Sequence, residues 1–232
     1  IKDTTIVVNE PASARRTSEW NGECVLDGSA NVTYISNSDF SPLQVGVKNG
    51  DPTHSLTMKG DSKLYCLQGV ETSAYSVSGL EAFDAAITLQ DNAYLEAEGR
   101  ATTGRYAGYG VITQSSITVE DNATIKATAY DAALSAVGNV KVDGGKIIAK
   151  SAKSNGIYTG SAISISNGAT VEAEGYWPAV YGNAGVSIAN STVKATSTDD
   201  AAIFSKDTIE IRDSVVEAEG HYPALFGVGA VS

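Results

Sequence analysis

The chain has 232 residues, of which 42% are apolar and 19% charged, a composition typical of a globular protein rather than a disordered one. Its 16 Lys and Arg against 27 Asp and Glu give a net charge of −11, which excludes nucleic acid and anionic lipid as partners. Because no run of 18 apolar residues occurs, the sequence predicts no membrane insertion.

Residues 1–23 are predicted to form an N-terminal cap segment, because they do not follow the repeat that occupies the rest of the chain. Ile6-Val7-Val8 is typical of a strand, and we expect this strand to cover the first coil, since the end of a solenoid needs a cap. At the other end, Ala230-Val231-Ser232 begins another coil, so we expect the polypeptide to continue past residue 232 or a second chain to cover this end.

Residues 24–232 consist of one short pattern that returns about eight times. Each copy opens with an alternating strand such as Ile163-Ser164-Ile165, passes a polar turn, and continues with a second alternating strand such as Val171-Glu172-Ala173. A third apolar pair, such as Ile157-Tyr158, closes the copy. The copies begin near residues 24, 56, 87, 117, 140, 163, 186 and 209, with the extra residues of the early copies entering after the second strand.

Strict alternation places one face of each strand inward, and a constant step of 23 residues is typical of stacked solenoid coils. The sequence therefore predicts an all-β fold, the parallel β-helix, with about eight coils of 22–32 residues. The leucine-rich repeat is excluded because its Leu-rich signature is missing. A β-sandwich would not repeat at a fixed step.

Stacking in register converts the repeat into columns of side chains. We interpret one outward column as cross-strand charge pairing, with acid–base chemistry by Glu172 and Glu174 as the weaker alternative. That column contains Glu96, Lys126, Ile148, Glu172, Lys194 and Glu217. A second column lies in a turn and contains Asp91, Asp121, Gly144, Asn167, Asn190 and Asp213. Such residues tolerate left-handed backbone, and their oxygens also suit Ca²⁺, the one cofactor that the sequence leaves open.

The aromatic column Tyr158, Tyr181, Phe204 and Phe226 is expected to stabilise the stack, or to offer sugar rings an apolar strip if it faces solvent. The turn after the second strand carries further aromatic residues, and the long early copies have their insertions near the same position. Insertions in solenoids gather on one face, often the binding face. The predicted ligand-binding residues are Tyr106, Tyr130, Tyr176, Trp177, His221 and Tyr222. The alternative is that Trp177 and Tyr222 only fill space over Ala-rich coils.

No catalytic residues are assigned from the sequence. His54 and His221 are far apart in coil number, and neither stands near a recognisable Ser or Cys nucleophile. Cys24 and Cys66 have no metal-binding spacing and fall on inward positions, so two buried thiols are expected rather than a disulfide.

The pattern at residues 162–175, together with Asn155-Gly156-Ile157-Tyr158, resembles secreted bacterial β-helix surface proteins of the pectate-lyase-like superfamily. It looks most like their carbohydrate-binding modules. The resemblance implies a right-handed coil and binding of acidic polysaccharide with Ca²⁺ held by Asp. The positions ahead of the third strand are here Asp131, Asn155, Pro178, Asp200 and Pro223.

From this resemblance we expect a secreted or cell-surface adhesion module whose partner is a polysaccharide or a host glycan. Two alternatives stay open: a polysaccharide lyase or glycoside hydrolase, and a structural stalk of a larger surface protein with further domains.

Overall fold

The computed structural model describes residues 1–11, 13, 17–46, 54–69, 77–100 and 108–232. These residues form 26 strands and no helix, so the described chain has no helix that could cross a membrane. The strands are, in chain order, β1 (Thr5–Glu10), β2 (Ser18–Trp20), β3 (Glu23–Leu26), β4 (Asn31–Ser36), β5 (Leu43–Val45), β6 (Ser55–Met58), β7 (Lys63–Gln68), β8 (Leu80–Ala82), β9 (Ala86–Leu89), β10 (Tyr94–Gly99), β11 (Val111–Thr113), β12 (Ile117–Glu120), β13 (Thr124–Ala129), β14 (Leu134–Ala136), β15 (Val140–Asp143), β16 (Lys146–Ser151), β17 (Ile157–Thr159), β18 (Ile163–Ser166), β19 (Thr170–Gly175), β20 (Val180–Gly182), β21 (Val186–Ala189), β22 (Thr192–Ser197), β23 (Ile203–Ser205), β24 (Ile209–Arg212), β25 (Val215–Glu219) and β26 (Leu225–Gly227).

Strands three apart in the chain pair in parallel, so each full coil adds one strand to each of three sheets. Sheet 1 runs from β1 through β4 to β25, sheet 2 from β2 through β5 to β26, and sheet 3 from β3 through β6 to β24. The fold is a right-handed parallel β-helix, as predicted. In sheet 3 the eight strands begin at the predicted starts of the copies or one residue before them.

The interior is filled by columns of like side chains, because paired strands place equivalent residues one above another. Leu134, Ile157, Val180 and Ile203 are register partners on sheet 2 and are all buried. Sheet 1 contributes a column of small buried side chains: Ala97, Ala127, Ala149, Ala173 and Ala195. The alternating pattern of the sequence therefore encodes the core directly.

The residues of the polar turn column adopt the left-handed backbone conformation that their types predict. Asp91, Asp121, Gly144, Asn167, Asn190 and Asp213 all have positive φ, between 48° and 78°. Asp, Asn and Gly tolerate this left-handed conformation better than other residues, which explains why they alone occupy the column.

The N-terminal end of the repeat adds detail to the predicted boundary at residue 23. The strand expected at Ile6-Val7-Val8 is β1, which pairs with β4, and β2 pairs with β5, so these two strands continue sheets 1 and 2. The division of the chain at residue 23 stays a prediction.

The expectation that all insertions follow the second strand is wrong for one of them: residues 47–53 lie between β5 and β6, after the sheet 2 strand.

Candidate functional site

Four aromatic side chains form a continuous column on the outer surface of sheet 2, which we call the ring ladder: Tyr158, Tyr181, Phe204 and Phe226. Their ring centroids are 5.2, 5.0 and 5.5 Å apart, with interplanar angles of 19° to 30°. Each ring stands at the centre of its strand, between two inward-facing residues. The predicted alignment of this column is confirmed.

The ring ladder is both stacked and open to solvent. The centroid distances exceed the roughly 3.5–4.0 Å that separates carbon atoms in contact, so neighbouring rings must be laterally offset from one another. Each ring therefore leaves part of its surface uncovered, and the terminal rings of Tyr158 and Phe226 are 36% and 45% exposed. The two functions expected of the column, stabilisation and provision of an apolar strip, are compatible.

A second column runs beside the ring ladder, three residues ahead of each sheet 2 strand. We call it the rim, and it consists of Asp131, Ser154, Trp177, Asp200 and Tyr222. Trp177 and Tyr222 are the most exposed aromatic side chains of the described residues, at 54% and 62%. The backbone beneath Trp177 is held by neighbouring coils: its N–H donates to the carbonyl of Ser154, and its carbonyl accepts from the Ser197 hydroxyl at 3.0 Å.

The rim and the ring ladder run side by side along the coil axis. We call the strip of surface between them the axial groove, and two notches lie in it. The notch between the last two coils has a volume of about 260 Å³ and is lined by Asp200, Ala201, Phe204, Tyr222, Pro223 and Phe226. The other notch, three coils earlier, has about 170 Å³ and is lined by Tyr109, Asp131, Ala132, Ser135, Ser154, Asn155 and Tyr158. Asp131 occupies the place of Asp200, and Tyr158 that of Phe226, whereas Ser135 and Ser154 stand where the later notch has Phe204 and Tyr222.

Each notch contains one carboxylate whose orientation is set by its own turn. Oδ1 of Asp131 accepts a hydrogen bond from the Ala132 N–H at 2.9 Å, and Oδ1 of Asp200 accepts from the Ala201 N–H at 2.7 Å. Within the described part of the chain, neither carboxylate takes part in an ion pair. One oxygen of each group is thus fixed, and the other remains available as an acceptor in the groove.

The other predicted binding residues lie in different surroundings. Tyr130 lines a separate groove of about 420 Å³ with Glu98, Gly99, Arg100, Thr128, Ala129 and Ala152. His221 packs edge-on against Tyr222, with ring centroids 5.5 Å apart. Tyr106 lies outside the described residues. The structure therefore places Tyr222 in the later notch and Trp177 on the rim between the two notches, with His221 packed against Tyr222.

The side chain of Tyr176 already interacts with two charged neighbours. The Lys153 Nζ lies 5.5 Å from the centroid of its ring, which is a cation–π contact. The charge of Asp199, together with a hydrogen bond to that carboxylate, raises the pKa of the Tyr176 hydroxyl. Tyr176 is only half-exposed, so it offers a ligand less free surface than Trp177 beside it.

Sequence reasoning missed Asp200, Phe204 and Phe226 as parts of one site with Tyr222. Four residues, 176–179, connect β19 to β20, whereas five, 198–202, connect β22 to β23. Aligning the turns from their starts therefore compares the wrong residues. Counting backwards from the third strand brings Asp200 level with Trp177 and Tyr222, and that signal is present in the sequence.

Groups considered for catalysis or metal binding are otherwise engaged. Glu172 and Glu174 form ion pairs with Lys146 and Lys150 at 2.7 and 2.8 Å, which confirms the charge-pairing interpretation. Among the described residues, no group of three or more His, Cys, Asp or Glu is arranged to hold a metal ion.

Both cysteines are free thiols, as expected, although Cys24 is only half-buried. Cys66 is fully buried, and burial raises the pKa of its thiol.

Comparisons of this chain with protein-family models, with curated proteins and with solved structures find no match. The parallel β-helix is shown by its strand pairing. Membership of the pectate-lyase-like superfamily stays a prediction, as does the resemblance to carbohydrate-binding modules.

Proposed function

We propose that this protein is a secreted or cell-surface binding module that holds a linear glycan along the axial groove. The observation that carries the proposal is the ring ladder flanked by the exposed side chains of Trp177 and Tyr222. Exposed aromatic groups that cluster on one surface are typical of recognition sites. A polysaccharide, or a glycan on a host or cell surface, is the partner that fits this arrangement.

The spacing of the rings supports a sugar polymer in particular. Sugar rings carry apolar C–H faces that pack on aromatic rings, while their hydroxyl groups need polar partners at the edge of the site. The coils supply a ring every 5.0–5.5 Å, close to the length of one sugar unit in an extended chain. An extended glycan lying parallel to the helix axis would thus meet an equivalent surface at each unit.

The test measures binding of the purified protein to a panel of linear oligosaccharides by glycan array and calorimetry. The double substitution Trp177→Ala and Tyr222→Ala removes the aromatic rim while leaving the interior columns intact. We expect it to weaken binding about tenfold or more, as for buried aromatic anchors in other interfaces.

The matched control is the double substitution Tyr65→Ala and Tyr94→Ala, an aromatic pair on sheet 1 with centroids 5.8 Å apart. Its affinity should stay within about twofold of the parent protein, because these half-buried side chains lie on sheet 1, away from the axial groove on sheet 2. Equal loss in both variants, or no binding of any glycan by the parent protein, would contradict the proposal.

A further inference from the structure

We infer that the axial groove selects neutral glycans over uronic-acid polymers, with Asp131 and Asp200 as acceptors for sugar hydroxyl groups. This inference rests on the proposed function and names the ligand class for the same groove. It departs from the acidic polysaccharide that the resemblance implies.

The first argument is the unequal use of the two carboxylate oxygens. The backbone N–H of the next residue holds Oδ1 of Asp131 and of Asp200, which fixes both side chains without consuming their second oxygen. A carboxylate that is already oriented loses little entropy when it accepts a further hydrogen bond. In the later notch, Asp200 stands beside Phe204 and Phe226, so a sugar would find stacking surface and acceptor together.

The second argument is the lack of a positive charge to receive an acidic sugar. The residues that line the two notches include Asp131 and Asp200 but no Lys or Arg among the described residues. The nearby Lys153 faces the Tyr176 ring. With a net charge of −11 over the whole chain, a polymer bearing a carboxylate on every unit would be repelled.

The third argument is that an oriented carboxylate recurs in both notches. Three coils separate Asp131 from Asp200, about 14 Å at the usual spacing of paired strands. An extended chain could engage both carboxylates only if it spans several sugar units. Affinity should therefore rise with chain length until both notches are bridged.

The experiment compares neutral and acidic ligands of equal length by calorimetry at low salt. The probes are β-1,4-linked hexasaccharides of glucose, mannose and xylose, and hexagalacturonic acid. We expect the parent protein to bind at least one neutral probe and to bind the uronate about tenfold more weakly or not at all. Asp200→Asn keeps the Oδ1 acceptor and should weaken neutral binding about tenfold, because hydrogen bonds to charged acceptors are the stronger ones.

The control is Asp213→Asn, which changes the net charge equally. Asp213 has φ 48° in the turn column, where Asn167 and Asn190 already stand, so the substitution suits the fold. Tighter binding of the uronate, or equal neutral affinities for Asp200→Asn and Asp213→Asn, would overturn the selection while leaving glycan binding in place. Failure of every probe to bind the parent protein would overturn the proposed function together with this inference.

Discussion

The outer faces of sheets 1 and 2 belong to the same coils and have the same strand spacing, yet their side chains interact with different partners. On sheet 1, carboxylates meet lysines of a neighbouring coil, as in Lys126–Glu96 and Lys150–Glu174, both 2.8 Å apart. On sheet 2, rings stack on rings, and the carboxylates beside them have no ion-pair partner among the described residues. A stack in register thus pairs the charges of one face and leaves the other with exposed rings and with carboxylates outside any ion pair of the described residues.

Both faces depend on one interior, so the largest expected effect comes from there. Ile157→Ala removes a buried side chain beneath the ring ladder and should cost about 3 kcal/mol of unfolding free energy, because it leaves a cavity. Ile148→Ala, in the outward column of sheet 1, is the matched control and should cost less than about 1 kcal/mol. Urea unfolding followed by circular dichroism measures both, and equal losses would contradict the assignment of inward and outward positions.

The ring ladder should contribute a smaller amount to stability. Tyr181 contacts a ring on each side, whereas Tyr158 has a ring partner on one side. Tyr181→Ala should therefore lower the unfolding free energy by about 1–2 kcal/mol and Tyr158→Ala by about half as much. If the two variants unfold at the same urea concentration, ring stacking does not stabilise the coils.

The charged face should give the smallest effect, and one that depends on pH. Burial alone would raise the pKa of Glu96, but hydrogen bonds from Lys126 and Tyr94 outweigh it and hold this pKa below its ordinary 4.5. A folded pKa below the unfolded one gives stability that is present above about pH 4.5 and is lost as the pH falls through the folded value.

Glu96→Gln should therefore cost roughly 0.5–1 kcal/mol at pH 7 and nothing once the pH lies below the folded pKa. Urea midpoints measured from pH 7 down to pH 3 test this. The control is Glu217→Gln, whose Lys194 partner is 3.8 Å away in an exposed pair, and its midpoint should match the parent at every pH. A Glu96 effect that persists at low pH would show that packing, and not charge, is responsible.

The fold could be predicted because stacking imposes a strict rule on the sequence. Ile163, Val186 and Ile209 are register partners and also recur every 23 residues, so periodicity alone locates the strands of sheet 3. The groove was harder to predict because it depends on turns, whose length differs from coil to coil even though backbone hydrogen bonds join them. One additional residue between β22 and β23, compared with the turn between β19 and β20, was enough to hide the relation of Asp200 to Trp177.

The same rule explains the misplaced insertion. The pairing of β6 with β9 is regular although extra residues precede β6 in the sequence, because chain added between strands does not alter the register of the sheets. A count of residues per coil therefore reveals that extra chain is present but not which corner of the coil carries it.

Because the step between coils is constant, insertion or deletion of one whole coil in the gene would change the length of the groove by a fixed amount. Ile163 and Val186 are equivalent points on adjacent coils. Deletion of residues 163–185 would therefore join the chain at equivalent positions and shorten the surface by the spacing of one coil. Duplication of the same stretch would extend it by one. Gain or loss of whole coils in the gene is thus a route by which such a protein can change the length of its surface while each new pair of neighbouring coils packs as the old ones did.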